Sequence, residues 1–184
     1  MKKDVKLHFD IFIRYLILIL IGILGVRFFY FLFTALTIYP LHFLFNLFFN
    51  VSRSADILFV QNIPIKIIGS CVAGSAYYLL LILNLATPKI DFKKRILSLL
   101  FSFGSLLVVN ILRIFFLSFL LISGSALFDI AHKFLWVIGS VIFVVGIWFI
   151  TLKLFKIEEI PFYSDLSYLL KYSIVKKSKR RKKN

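Results

Sequence analysis

Several stretches of this chain run for close to 20 residues or more with few charges, and they limit the fold more than any other feature. A hydrocarbon core about 30 Å thick is crossed by roughly 20 apolar helical residues. The runs therefore predict an all-α membrane protein, a polytopic helical bundle of about four transmembrane helices plus an interfacial helix. Composition agrees, because 61% of the 184 residues are hydrophobic and 18% are aromatic. A chain of this length leaves no room for a separate folded soluble domain, so residues 1–184 are read as a single integral membrane domain. The first run has no small-residue cleavage site and continues past signal-peptide length, which marks it as a span.

The first span is read over Ile11–Ile38, broken only by Arg14 and Arg27. Pro40 is expected to interrupt it. In Leu41–Asn50 the residues His42, Asn46 and Asn50 share one helical face, which fits a segment lying at the interface or a short span packed on its polar stripe. Val51–Lys66 holds Arg53, Asp56, Gln61, Asn62 and Pro64 and reads as a loop. The second span is Ile65–Ala86, the third Ile96–Ile122, and the fourth lies within Ala126–Leu154 after a Ser123-Gly124-Ser125 turn. The tail from Phe155 onward is polar and ends in a dense run of Lys and Arg.

The net charge of +15 is unevenly placed and sets the orientation. With four spans, the N-terminus, the Lys89–Arg95 loop and the basic tail share one side, which the positive-inside rule makes cytoplasmic. An extra crossing at Leu41–Asn50 would put Lys93, Lys94 and Arg95 outside, against that rule. The tail reads as an anchor to anionic membrane lipids, and no nucleic-acid partner is expected.

Depth can be counted from the cytoplasmic ends. Cys71 lies about 17 residues above Pro88, Arg113 about 18 above Arg95 and His132 about 21 before Lys153, or roughly 26–32 Å at 1.5 Å per residue. Three spans thus carry a thiol, a guanidinium and an imidazole to one layer near the outer surface. Cys71 is the chain's only cysteine, which excludes an intrachain disulfide and a multi-cysteine zinc site. No metal or other cofactor is expected. Free cysteine is also a common buried apolar residue. Here, however, it sits in Gly69-Ser70-Cys71-Val72-Ala73-Gly74-Ser75, whose small residues leave room for something to approach. Placed early in its helix, its thiolate is favoured by the macrodipole. His132 fits a general base and acid, and Arg113 can stabilise a thiolate or an oxyanion. Asn110, three residues before Arg113, can orient it or donate to a substrate carbonyl. Asp129, three residues before His132, fits either a triad carboxylate or an acidic residue in a helix's first turn.

The ordered set of Cys71, Asn110-Ile111-Leu112-Arg113 and Phe128-Asp129-Ile130-Ala131-His132 resembles the exosortase/archaeosortase family of multi-pass membrane cysteine transpeptidases. The resemblance covers about Ile65–Phe155, taken as the catalytic core (65–155), with 156–184 as a cytoplasmic basic tail. Val72-Ala73-Gly74 replaces the Cys-Ser-Gly or Cys-Thr-Gly form of many members, and the chain is short for the family. The resemblance implies a thiol protease and transpeptidase of the cell membrane that acts in protein sorting. Its implied partners are the C-terminal sorting-signal helices of secreted or surface proteins and a lipid-linked or other amine-bearing acceptor. The rival expectation is a non-enzymatic small membrane protein, a transporter subunit or assembly factor, with Arg27, Arg113 and His132 along a polar path. A conduit needs polar residues through the full thickness, and the inner halves of the last three spans look nearly devoid of them.

Overall fold

The computed structural model describes residues 27–88 and 90–157, together with positions 9, 12, 13, 15–20 and 22. Expectations placed on Arg14, on Lys89 and on the basic tail beyond Ile157 lie outside the described residues. Three helices are long and apolar enough to cross a membrane: Arg27–Asn46, Phe92–Ile122 and Leu127–Leu154.

Helix α1 (Arg27–Asn46) continues through Pro40. The expected break there does not occur, and Leu41–Asn46 is the end of α1 rather than a separate interfacial helix. Proline removes one backbone donor, yet Ile38, Leu41 and Phe45 around it are buried, so packing holds both sides of the ring in line. The described positions before residue 27 are also helical.

The segment read as a loop is a three-stranded antiparallel sheet: β1 (Val51–Ser54), β2 (Ile57–Val60) and β3 (Ile63–Lys66), in that order. Its polar residues sit at turns and edges, where they do not oppose strand formation. Gln61 and Asn62 both have positive φ and form the two-residue turn joining Val60 to Ile63, a tight hairpin connection that matches strand twist. Leu58, Val60, Ile65 and Ile67 alternate onto the buried face.

The expected second span is divided. After β3 comes a single helical turn, α2 (Gly69–Val72), then a left-handed residue, Ala73 (φ 58°, ψ 38°), then α3 (Gly74–Ala86). With 13 residues, α3 is only about 20 Å long, short of a full hydrocarbon core. Helix α4 (Phe92–Ile122) fulfils the third span, and the Ser123-Gly124-Ser125 turn follows, with Gly124 at φ 63°. The last span is α5 (Leu127–Phe134), a π-helical turn over Leu135–Gly139, and α6 (Ser140–Leu154).

One face of α4 buries Ser98, Ser102, Leu106, Asn110, Ile114 and Ser118, a spacing of four that keeps the row turned toward the bundle. Small and hydroxylated residues let membrane helices approach closely. Ser102 Oγ meets Thr151 Oγ1 on α6 at 3.0 Å, and Asn84 Nδ2 on α3 donates to Ser102 Oγ at 3.4 Å. The half of the bundle expected to lack polar groups therefore contains a hydrogen-bonded seam. These side chains are short, and buried against helix backbone they leave little mark on an apolar run.

Beyond this seam lies a basic end. Arg95 donates from Nη1 to the carbonyls of Asn84 (2.8 Å) and Leu85 (2.9 Å) and from Nη2 to that of Thr87 (3.0 Å). It thereby satisfies the final carbonyls of α3, which have no helical partner. Lys94 Nζ donates to the Lys156 carbonyl at 3.2 Å, which brings the start of α4 level with the end of α6. Toward the middle, Phe33 stacks on Tyr77 at 3.5 Å, with Phe103 edge-on to both.

Candidate active site

Cys71 occupies the α2 turn and is half-buried. Its N–H donates to the Ile68 carbonyl at 2.8 Å. In an unbroken helix its carbonyl would accept from the residue four places on. The left-handed Ala73 ends the turn first, and two side chains from α4 take over that carbonyl. Asn110 Nδ2 donates to it at 2.7 Å and Arg113 Nη2 at 3.2 Å. Arg113 also donates from Nη1 to Ser140 Oγ at 3.1 Å. Ser140 Oγ in turn donates to the Leu135 carbonyl at 3.3 Å, five residues back across the π-helical turn. One guanidinium thus ties the cysteine turn, α4 and the π-helical turn of the last helix together.

The small residues beside Cys71 have a different use from the one expected. A Cβ at Gly74 would lie 2.7 Å from the Tyr30 ring of α1, and one at Gly69 would lie 3.4 Å from it. The room is filled by Tyr30, and no space is held open there for a substrate. The macrodipole expectation also falls, because a one-turn helix aligns too few peptide dipoles.

The open space is on the other side. A cavity of about 240 Å³ is bordered by Cys71, Arg113 and His132. Its walls are Leu117, Leu121, Phe128 and Trp136, and the five consecutive residues Pro64–Ile68 form one flank. Pockets for drug-sized ligands run from about 300 Å³ upward, so this one suits a side chain or two. His132 is exposed, with its ring stacked on Phe128 (centroids 5.5 Å apart, planes within 10°). Asp129 is exposed and does not border the cavity, and among the described residues it makes no hydrogen bond to His132. The ring's neighbour is thus an aromatic face rather than a triad carboxylate. Among the described residues no three His, Cys, Asp or Glu gather as metal ligands would.

The structure therefore brings Cys71, Asn110, Arg113 and His132 to one place and leaves Asp129 aside. Sequence reasoning missed Ser140, Phe128, Tyr30 and the β3 flank. Only Phe128 carried a local signal, lying four residues before His132 on one helical face.

Comparison with protein-family models, with curated proteins and with solved structures returns no match to this chain. The class that the fold itself defines is a mostly helical chain of transmembrane character, with three helices able to cross a bilayer.

Proposed function

We propose that this chain is a membrane-embedded cysteine peptidase and transpeptidase, acting at the outer face of the membrane on the C-terminal sorting signals of surface proteins. The observation that carries the reading is the shared cavity of Cys71, Arg113 and His132, contributed by three separate segments of the chain. Its position is a second support. The cavity lies at the end of the bundle opposite Lys94, Arg95 and Lys156, and the positive-inside rule assigns that basic end to the cytoplasm.

In this reading the Cys71 sulfur attacks the scissile carbonyl carbon as His132 takes the thiol proton. Collapse of the tetrahedral intermediate breaks the C–N bond. His132 then returns the proton to the departing amine and a thioester remains. An amine acceptor, lipid-linked as the resemblance implies, or water attacks the thioester and releases the thiol. Asn110 and Arg113 hold the main chain that carries the sulfur. Arg113 also borders the cavity, where its charge can meet the developing oxyanion.

Cys71→Ala is expected to abolish processing of a surface protein that ends in a short motif, one apolar helix and a basic cluster, while the variant still accumulates in the membrane. Full processing by that variant would overturn the assignment. The buried seam of Asn84, Ser102 and Thr151 favours a second reading, a polar path through a non-enzymatic subunit. Those hydroxyls, however, bond to carbonyls one turn back: Ser102 to Ser98 and Thr151 to Ile147, both at 2.7 Å. They serve helix packing better than passage. Thiol labelling separates the two readings, since a conduit needs no reactive Cys71.

A further inference from the structure

The cavity has a flank that the chemistry above does not use. A strand that shows a cavity one of its faces lines it with alternate residues, because side chains alternate across the sheet. Here Pro64, Ile65, Lys66, Ile67 and Ile68 all line it in succession. Three successive residues of β3, Pro64 to Lys66, and the two that follow border the cavity, the pattern of a cavity that runs along a strand's edge.

Among the described residues that edge is unpaired. In the strand order β1-β2-β3, β3 is terminal. The direction of its free groups follows from register. Ile67 N–H donates to the Asp56 carbonyl at 2.9 Å, and Lys66 pairs with Ile57, so Ile67 and Asp56 extend the same ladder as a hydrogen-bonded pair. Such pairs alternate in antiparallel sheets. Ile65 and Ile63 therefore bond toward β2, while Pro64 and Lys66 turn their main-chain groups away from it. Pro64 agrees independently, since a residue without an N–H belongs where the donor would face off the sheet. The free edge offers the Pro64 carbonyl and then both the N–H and the carbonyl of Lys66. The chain stays extended to Ile68 (φ −93°, ψ 168°), whose carbonyl receives the Cys71 N–H.

The geometry points to β3 as a docking edge: an extended peptide adds to the sheet as a fourth strand along Pro64–Lys66, and this pairing delivers its scissile bond to Cys71. The inference rests on the peptidase reading and names how that site holds its substrate. The occupant is a peptide in strand conformation, because the edge presents main-chain donors and acceptors in strand spacing, the recognition mode of β-augmentation. The walls accept one apolar side chain from it, between Leu117, Leu121 and Trp136. Recognition divides accordingly, with affinity from main-chain bonds and selectivity from the one side chain that enters the apolar cavity.

The test uses full-length protein in membranes and, as probe, an epitope-tagged surface protein ending in a motif, an apolar helix and a basic cluster. Lys66→Pro removes the outward N–H without touching the bonds to β2, and Lys66→Ala keeps it. Lys66→Pro is expected to process about tenfold more slowly than Lys66→Ala, near the upper end for one lost hydrogen bond. Maleimide labelling of Cys71 should be equal in both variants and the unchanged chain. A second arm does not depend on turnover. In a Cys71→Ala background, Lys66→Cys is oxidised against probes carrying one cysteine at successive positions upstream of the apolar helix. Disulfides are expected at every second position, the period of a paired strand. Equal processing by the Pro and Ala variants, or cross-linking without that period, would overturn the docking edge and leave the peptidase standing if Cys71→Ala is inactive. Processing that survives Cys71→Ala would overturn both.

Discussion

In the proposed reaction, Asn110 would matter without touching the substrate. Its amide is buried on α4 and donates to the Cys71 carbonyl, so in the peptidase reading it is a positioning residue. Asn110→Ala leaves that carbonyl to Arg113 alone. The variant is expected to lose roughly 1–2 kcal/mol of stability, the usual penalty for one broken buried hydrogen bond. A structural role alone would stop there. If the bond also aims the sulfur and substrate binds along β3 as proposed, kcat for the tagged surface protein should fall by about tenfold or more with KM little changed, because aim affects only the chemical step. Thermal unfolding in detergent and initial processing rates measure the two effects separately, and an unchanged kcat would reduce Asn110 to a packing residue. The pairing of Asn110 with Arg113 was legible in the sequence, because residues three apart share a helical face and both are costly inside a membrane. Their target was not. Nothing in Cys71-Val72-Ala73 announces that Ala73 will be left-handed, and only that turn frees the Cys71 carbonyl for them.

At the scale of elements, legibility followed period and length. Helix α4 was readable because 31 apolar-rich residues admit little else. The sheet was missed because its strands have four residues each and its polar turn residues dominate so short a window. Pro40 misled for the opposite reason, since local propensity favours a break and burial of Leu41 and Phe45 overrides it. The contact between α1 and α3 is where this override can be tested. The Tyr30 ring occupies the place of a Gly74 side chain, so Gly74→Ala should push the two helices apart. A cost of roughly 1–3 kcal/mol is expected, as for other overpacked cores, read as a lower melting temperature in detergent. Tyr30→Leu removes the ring atoms that the new methyl would strike. The double variant should therefore be more stable than the sum of the two single losses, a coupling that neighbours show and distant sites do not. Strict additivity would mean that Tyr30 and Gly74 do not meet.

At the scale of the whole molecule, the two ends of the bundle differ in character, and the proposed orientation rests on that contrast. One end gathers Lys94, Arg95 and Lys156 through the bonds of Arg95 to the close of α3 and of Lys94 to the close of α6. The other carries the sheet, the Cys71 cavity and the Gly124 turn. Helix α4 is about 46 Å long, more than the roughly 30 Å hydrocarbon core, so it can tilt or project and still join the two ends. A fourth crossing, as the sequence reading expects, would fall to the broken α2–α3 segment, and lipid tolerates such a break only where other parts of the protein satisfy its backbone. Asn110 and Arg113 do so for the Cys71 carbonyl. The orientation is open to direct measurement because the chain has one cysteine to remove. In a Cys71→Ala background, Gln61→Cys at the tip of the β2–β3 turn should react with a membrane-impermeant maleimide on intact cells. Lys156→Cys should react only after the membrane is opened. The reverse pattern would place the cavity on the cytoplasmic side, where a peptidase for exported proteins would meet its substrates before export. Labelling of both positions from outside would mean that the broken α2–α3 segment does not cross, which would overturn the four-span arrangement.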